Sequence, residues 1–574
     1  MAEVPLSPRP PRTLRQAATA PEPPPPPPTP AWDADLRAAC AGVELTLVGL
    51  GDQPCYELPA AALAEVAGWL RARGYDYLRL VSTVDRGTEF ELVYLLGGLS
   101  AAVDPAWVAL RCRVPREAPA VPTLTGLWRG ADWLEREQHD LMGIDYEGHP
   151  DPRRILLPDC WVGHPLRKDY IWDSDTMVSE VLAAELVSDE PSESLDLSSD
   201  EDGLRTEDLA LNMGPQHPST HGVLRLRLAV DGEYVRSCDP DLGFLHRSFE
   251  KLGELKTYVN GVPLTDRWDY LNAMGNNLVH CQTVETALGL ELPERVHWIR
   301  MLVLELNRLA SHLIFFGTYG LDVGAQTPFL YCFRDRERIL DMFELLCGAR
   351  LTYHYLRIGG VAAELPRNFL SDYVRPFLGY LQNQLDEHDA LLSGNSIFLE
   401  RTVGVSIWSP ELCIDYGVTG PCLRASGVAY DVRRALPYAR YDQVEFDIPI
   451  GQNGDSFDRY AVRLAEARQS LRILEQVCDW LEANDAETRG QIQAKTPRAI
   501  KVPEGEWYTC VETPRGELGL HLVGDGTERP WRYKIRRPSY SNLAVMPEVG
   551  RDLKVADLIA VLGTTDVVMG EVDG

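Results

Sequence analysis

From residue 206 onward the chain changes period twice. Leu209, Leu211 and Met213 alternate with polar neighbours, and Leu224, Leu226, Leu228 and Val230 alternate against Arg225 and Arg227. Period-two alternation predicts half-buried strands, and Asp231-Gly232 behind the second run predicts a tight hairpin turn. The loop 214–222, broken by Gly214, Pro215, Pro218 and Gly222, then joins the first two strands of a small antiparallel sheet. Beyond it the period becomes helical. Pro293 opens a helix bearing Val296, Ile299, Val303, Leu306, Leu309 and Leu313, which Gly317 is expected to end. Further helices are expected near residues 333–347, 368–392 and 458–482, giving a helix bundle with a sheet attached.

The N-terminal part reads differently. Pro59 opens a helix with Leu63, Val66, Ala67 and Leu70 on one face, closed by Gly74, and short strands are expected at 77–81, 90–96 and 108–114. This predicts a small α+β domain over residues 31–172. Its end, "LEREQHDLMGIDYEGHPDPRRILLPDCWVGHPLRKDY", packs charge and two His-Pro pairs into 37 residues, and a solvated loop is its default reading.

Composition adds two further segments. Twelve of the first 30 residues are proline, so residues 1–30 read as a disordered tail of polyproline II character. Asp173 to Gly203 holds eleven acidic residues and no Lys or Arg, which makes 173–205 an extended, self-repelling linker. At 574 residues the chain exceeds what one core usually supports. The net charge of −29 argues against a nucleic-acid partner, because phosphate would be repelled. No apolar run is long enough to span a bilayer, and the N-terminus lacks a signal pattern, so the chain is expected to be cytoplasmic and soluble in its own right. None of the twelve cysteines is spaced Cys-x-x-Cys, which favours free thiols over a metal cluster.

Walker, HExxH, GxSxG and strand-borne GxGxxG motifs are absent, which disfavours phosphoryl transfer and NAD binding by this chain. "NMGPQHPSTHGVLRLRL" places His217 and His221 on the loop between the first two strands. Taken alone they are structural loop histidines or a proton donor, since imidazole titrates near neutrality. A metal site is the weaker reading, because that spacing converges on a helix rather than on a Pro-broken loop. "LTDRWDYLNAM" carries Asp266, Arg267, Asp269 and Tyr270 into a helix and by itself is an acidic helix start. Asp322 falls in a Gly-rich turn just past the long helix.

Together these stretches resemble the fused C/D subunit of bacterial NADH:quinone oxidoreductase, respiratory complex I. "EREQHDLMGI", "GHPDPRRIL" and "GHPLRKDY" resemble the C part. "GPQHPSTHGVLRL", "GFLHRSFEKL", "DRWDYL", "NRLASHL", "RIGGVAAELP", "YGVTGPCLRASG" and "VMGEVDG" resemble the D part. The match spans about residues 35–172 and 206–574. His139, Pro152 and Gly574 depart from the family's usual residues, at positions concerned more with packing than with quinone. The resemblance implies an α+β fold overall: an α+β N-terminal domain, an acidic linker, and a mainly α-helical bundle domain (206–574) with an attached antiparallel sheet, similar to the [NiFe] hydrogenase large subunit.

It also implies function. His221 and Tyr270 match the family's contacts to the quinone headgroup, Asp322 matches the carboxylate that pairs with the histidine, and Arg267 matches an arginine near the terminal iron-sulfur cluster of a neighbouring subunit. The implied substrate is a quinone, ubiquinone or menaquinone, with no metal or flavin bound by this chain and with iron-sulfur clusters and FMN in partner subunits. The implied partners are the other complex I subunits and the membrane arm, and the implied place is the cytoplasmic side of the cell membrane. Two rivals are weighed: a scaffold-only subunit, against which His221, Tyr270 and Asp322 stand, and a membrane-bound [NiFe] hydrogenase large subunit, which needs two Cys-x-x-Cys pairs that the sequence lacks.

Overall fold

A computed structural model of the chain describes residues 27–100, 103–171, 209–215 and 222–574. The tail up to residue 26, the acidic stretch from 173 to 205, and His217 and His221 lie outside the described residues. What is described divides into two compact units, one N-terminal and one C-terminal. The first is a sheet domain with helices, and the second is largely helical with small sheets attached.

The N-terminal unit is built on strands β1 (Thr46–Leu50), β2 (Gln53–Glu57), β3 (Tyr77–Asp85), β4 (Glu89–Gly97) and β5 (Trp107–Pro115), in the order β1-β2-β5-β4-β3. The pairings are antiparallel except β2 with β5, which run parallel. The three expected strands are all present and longer than expected, whereas β1 and β2 were not foreseen. Strand β3 lies at the edge yet is buried along its whole length. Helix Ala131–Met142 packs against it, and Gln138 Oε1 accepts from Thr83 N at 3.1 Å, which satisfies an edge donor that would otherwise be open to pairing. Short strands β6 (Ala120–Pro122) and β7 (Asp145–Glu147) pair in parallel nearby.

The solvated-loop reading of residues 134–170 is overturned. Their first part is helix, and Glu135, Arg136, Glu137, Gln138 and Asp140 are buried. Asp140 Oδ2 accepts from the backbone N–H of Ile155, Leu156 and Leu157 at 3.2, 2.8 and 2.9 Å, while Oδ1 takes Arg154 at 2.6 Å. Arg154 also donates to the carbonyls of Trp161 and Gly163, and Arg136 to those of Arg153 and Arg154. The charges are internal braces for a segment that has little regular backbone pairing of its own.

In the C-terminal unit β8 (Leu209–Met213), β9 (Arg225–Asp231) and β10 (Tyr234–Asp241) form the expected antiparallel sheet, in the order β10-β9-β8. Asp231 pairs with Tyr234 across a two-residue turn in which Gly232 holds φ 61°. The loop 214–224 is pinched at its base. A Cβ on Gly214 would come within 2.0 Å of the Leu224 carbonyl oxygen, so only glycine lets the strands leave the sheet this close together.

Four helices, Glu294–Asp322, Gln326–Cys347, Arg375–Leu392 and Ser456–Ala483, pack pairwise in a closed ring as a bundle. The first runs five residues past Gly317, where it was expected to stop. Gly317 serves packing instead, since a Cβ there would meet the Phe329 Cα at 3.2 Å, and its absence lets the next helix approach. Asp322 is therefore the last helical residue and not part of the turn that follows. A small hairpin, β11 (Leu356–Arg357) and β12 (Gly360–Val361), and an unforeseen three-stranded sheet, β13 (Gly505–Thr513), β14 (Gly516–Gly524) and β15 (Arg532–Arg536), complete the unit. Helix Ala273–Leu288 lies on β13 and β14. The chain ends buried, after helix Val555–Thr565 and the single turn Met569–Val572.

Candidate functional site

Helix Tyr258–Thr265 stops at Asp266, and the backbone turns before Asn272 starts helix Ala273–Leu288. Asp266, Arg267, Asp269 and Tyr270 therefore occupy a turn between helices, not a helix start. The turn is held from the helices around it. Asn276 Nδ2 donates to the Asp269 carbonyl at 2.8 Å, Asn307 Nδ2 to the Leu271 carbonyl at 2.8 Å, and Asn277 Nδ2 to Asp266 Oδ1 at 2.8 Å. Trp268 anchors it apolarly, edge-on to Tyr533 with ring centroids 6.0 Å apart.

A buried guanidinium ties this turn to three other segments. Arg515 sits at the tip of the β13–β14 hairpin. Its Nη1 donates to Asp269 Oδ2 at 3.1 Å and to Ser311 Oγ of the long helix at 2.5 Å, its Nη2 to Asp566 Oδ1 at 3.2 Å, and its Nε to the Asp566 carbonyl at 3.0 Å. Burial raises the Asp269 pKa against the opposing pull of Arg515. No motif marked Arg515, Asn276 or Asn277, and "NRLASHL" contained Asn307 and Ser311 without assigning either a role, because each is a polar residue whose role comes from its partners in the fold.

Tyr270 projects from this clamp. Its neighbours Trp268 and Asp269 are buried, while Tyr270 keeps 37% of its surface exposed. Burial of the rest of the side chain, reinforced by the Asp269 carboxylate, raises the phenol pKa. The hydroxyl is thus protonated at neutral pH and available as a donor at a surface.

The C-terminal segment lies behind. A Cβ on Gly570 would meet the carbonyl oxygens of Trp268 at 2.6 Å and Arg267 at 3.1 Å, with the Tyr270 ring at 3.6 Å. Seven residues earlier, a Cβ on Gly563 would meet Asp322 Oδ2 at 2.9 Å and the Tyr319 ring at 3.0 Å. Two glycines thus let one segment lie against both Tyr270 and Asp322, which are 52 positions apart in sequence. His221 lies outside the described residues, on the loop that leaves β8 at Met213 and returns at Arg225.

Arg267 points away from the clamp. Its guanidinium is more than half exposed, donates to the Pro263 carbonyl, and stands 3.9 Å from Asp266, whose carboxyl burial pushes up to about 6. The His354 backbone N–H and the Arg357 charge oppose that rise. Among the described residues no group of three or more His, Cys, Asp or Glu has the placement to hold a metal ion. No described helix is long and apolar enough to cross a membrane.

Comparison with known families agrees in both units. Residues 56–176 match the respiratory-chain NADH dehydrogenase 30 Kd subunit, and residues 322–574 match the 49 Kd subunit. The chain is 41% identical over 513 residues to the NADH-quinone oxidoreductase C/D subunit of Gluconacetobacter diazotrophicus, covering 84% of each chain. It is 40% identical over 510 residues to the C/D subunit of Nitrosospira multiformis, covering 85% of this chain and 83% of that one. It is 47% identical to the D subunit of Bacillus cytotoxicus over 371 residues, which is 65% of this chain and all of that one.

Proposed function

Given that the chain belongs to the family of fused NADH-quinone oxidoreductase C/D subunits, a component of the respiratory complex I, we propose that its C-terminal unit forms the quinone headgroup site. Residues 31–172 then supply the C-like part and residues 206–574 the D-like part, with a fold related to the [NiFe] hydrogenase large subunit. The quinone, ubiquinone or menaquinone, receives electrons from a neighbouring subunit whose terminal iron-sulfur cluster lies near Arg267. NADH oxidation at FMN takes place in other partner subunits. The assembly sits on the cytoplasmic side of the cell membrane, joined to a membrane arm.

The observation that carries this reading is the contrast at Tyr270, a part-exposed, protonated phenol rising from a turn in which Asp266, Trp268 and Asp269 are buried. Reduction of a quinone to a quinol takes two electrons and two protons, and negative charge develops on the carbonyl oxygens as electrons arrive. The Tyr270 hydroxyl donates a hydrogen bond to one oxygen and then its proton, and the nearby Arg515 charge stabilises the phenolate left behind. His221 supplies the other donor, with the Asp322 carboxylate orienting its ring and raising its basicity. This is acid catalysis by side chains.

Replacing Tyr270 by Phe keeps the ring and its packing and removes the donor. In membranes, quinone reductase activity of Tyr270→Phe should fall at least about tenfold, within the range general acids contribute. Electron transfer to ferricyanide, taken earlier in the chain, should persist. Undiminished quinone reduction would end the assignment.

A further inference from the structure

Three successive peptide units around Tyr270 are held in place. In the peptide before it, the Asp269 carbonyl accepts from Asn272 N at 3.0 Å and from Asn276 Nδ2 at 2.8 Å. In the peptide after it, Leu271 N donates to Asp269 Oδ1 at 3.1 Å, and the other oxygen of that carboxylate is fixed by Arg515 at 3.1 Å. One peptide further on, the Leu271 carbonyl accepts from Asn307 Nδ2 at 2.8 Å, while Asn307 Oδ1 accepts from Met274 N at 3.1 Å. A residue has two soft backbone dihedrals, so fixing the peptide planes on both sides fixes the direction in which its side chain leaves. Tyr270 keeps only the rotation of its own side chain, which reaches the surface.

Asn276 and Asn307 are fully buried and come from different helices, Ala273–Leu288 and Glu294–Asp322. Satisfying the backbone does not account for Asn276. The Asp269 carbonyl has a donor in Asn272 N without it, and Asn276 Oδ1 is itself buried with no hydrogen-bond partner among the described residues. A bare buried oxygen costs stability, so an apolar side chain of similar size would serve the fold better. What the amide adds is a second restraint on the peptide that carries Tyr270. Asn307 spans Leu271 and Met274 with one amide, and so ties the exit of the turn to the start of the next helix.

We propose that Asn276 and Asn307 are positioning residues for quinone reduction: they hold the peptide planes on which Tyr270 stands and so aim its hydroxyl at the headgroup oxygen, without touching substrate themselves. The inference rests on the quinone reading above. Proton donation needs the donor within hydrogen-bond reach of the acceptor, and misplacing a group by about 1 Å lowers a rate by up to about a hundredfold.

The test uses the intact complex in membranes and follows the ratio of quinone to ferricyanide rates, in which loss of assembly cancels. Asn276→Ala and Asn307→Ala should each lower the ratio by roughly tenfold, and each should do far less in a Tyr270→Phe background, because they act through a hydroxyl that is no longer there. Asn307→Asp supplies a readout that packing alone does not move. Its protonated carboxyl donates to the Leu271 carbonyl and accepts from Met274 N as the amide does, whereas the ionised form has no donor. Its ratio should therefore stand close to the parent's at acid pH and fall below it as pH rises. Single losses that recur undiminished in the Tyr270→Phe background overturn the proposal, as does an Asn307→Asp ratio that follows the parent's at every pH. If either alanine variant fails to assemble, as a lost ferricyanide rate would reveal, Asn307→Asp decides. An undiminished Tyr270→Phe rate removes the quinone site and this inference with it, whereas a Tyr270→Phe loss beside unaffected asparagine variants removes the positioning role and leaves the quinone site standing.

Discussion

Glu135 illustrates how burial governs single residues here. It accepts from Thr123 Oγ1 at 2.6 Å and Leu124 N at 2.8 Å, both of which favour the carboxylate, yet burial outweighs them and pushes the carboxyl up to about 8. The unfolded chain gives up this proton near the ordinary value of 4.5, so between 4.5 and about 8 the folded form holds a proton that the unfolded form lacks. The associated stability is complete below that window and is lost as pH rises through it. Thermal unfolding of Glu135→Gln should accordingly lose less stability than the parent between about pH 5 and pH 8, and parallel melting temperatures across that range would refute the buried acid. Residues of this kind explain what the sequence hid. Tyr270, Asp322 and Arg267 stood out through their motif neighbourhoods, whereas Arg515 reaches Asp269 from 246 positions away, and no local spacing encodes that partnership.

At the scale of elements, alternation and 3.6-residue periodicity located strands β3 to β5, β8 to β10 and the four bundle helices. They missed strand β14, "GELGLHLVG", whose Leu518, Leu520 and Leu522 alternate with Glu517, Gly519 and His521 although every position is buried. They also misplaced an end, because a glycine in a helix signals a stop only when it does not serve packing. Two glycines make this testable. Gly317 faces the Phe329 backbone at 3.2 Å, while Gly379 on helix Arg375–Leu392 has nothing within 4 Å of its would-be Cβ. Gly317→Ala should destabilise by about 1–3 kcal/mol through overpacking. Gly379→Ala should stabilise by roughly 0.5–1 kcal/mol through helix propensity. Denaturant midpoints of the two variants moving in the same direction would contradict the packing role.

The whole molecule combines a sheet unit, a helical unit and a composition that separates them. Eleven of the acidic residues behind the −29 charge lie in the stretch between Asp173 and Gly203, so more than a third of that charge belongs to that stretch. What the site needs from the whole chain is convergence: a turn at 266–270, a hairpin tip at 515, a helix end at 322 and a buried C-terminus. Only the family resemblance, and no pattern of periodicity, links these in the sequence. The central claim is that quinone is reduced against this chain, and a photoreactive short-chain quinone tests it most directly. Irradiated with the intact complex in membranes and followed by peptide mapping, the label should fall within residues 264–274 or 212–228 of this chain and be displaced by excess unlabelled quinone. Displaceable label confined to other subunits would contradict the account.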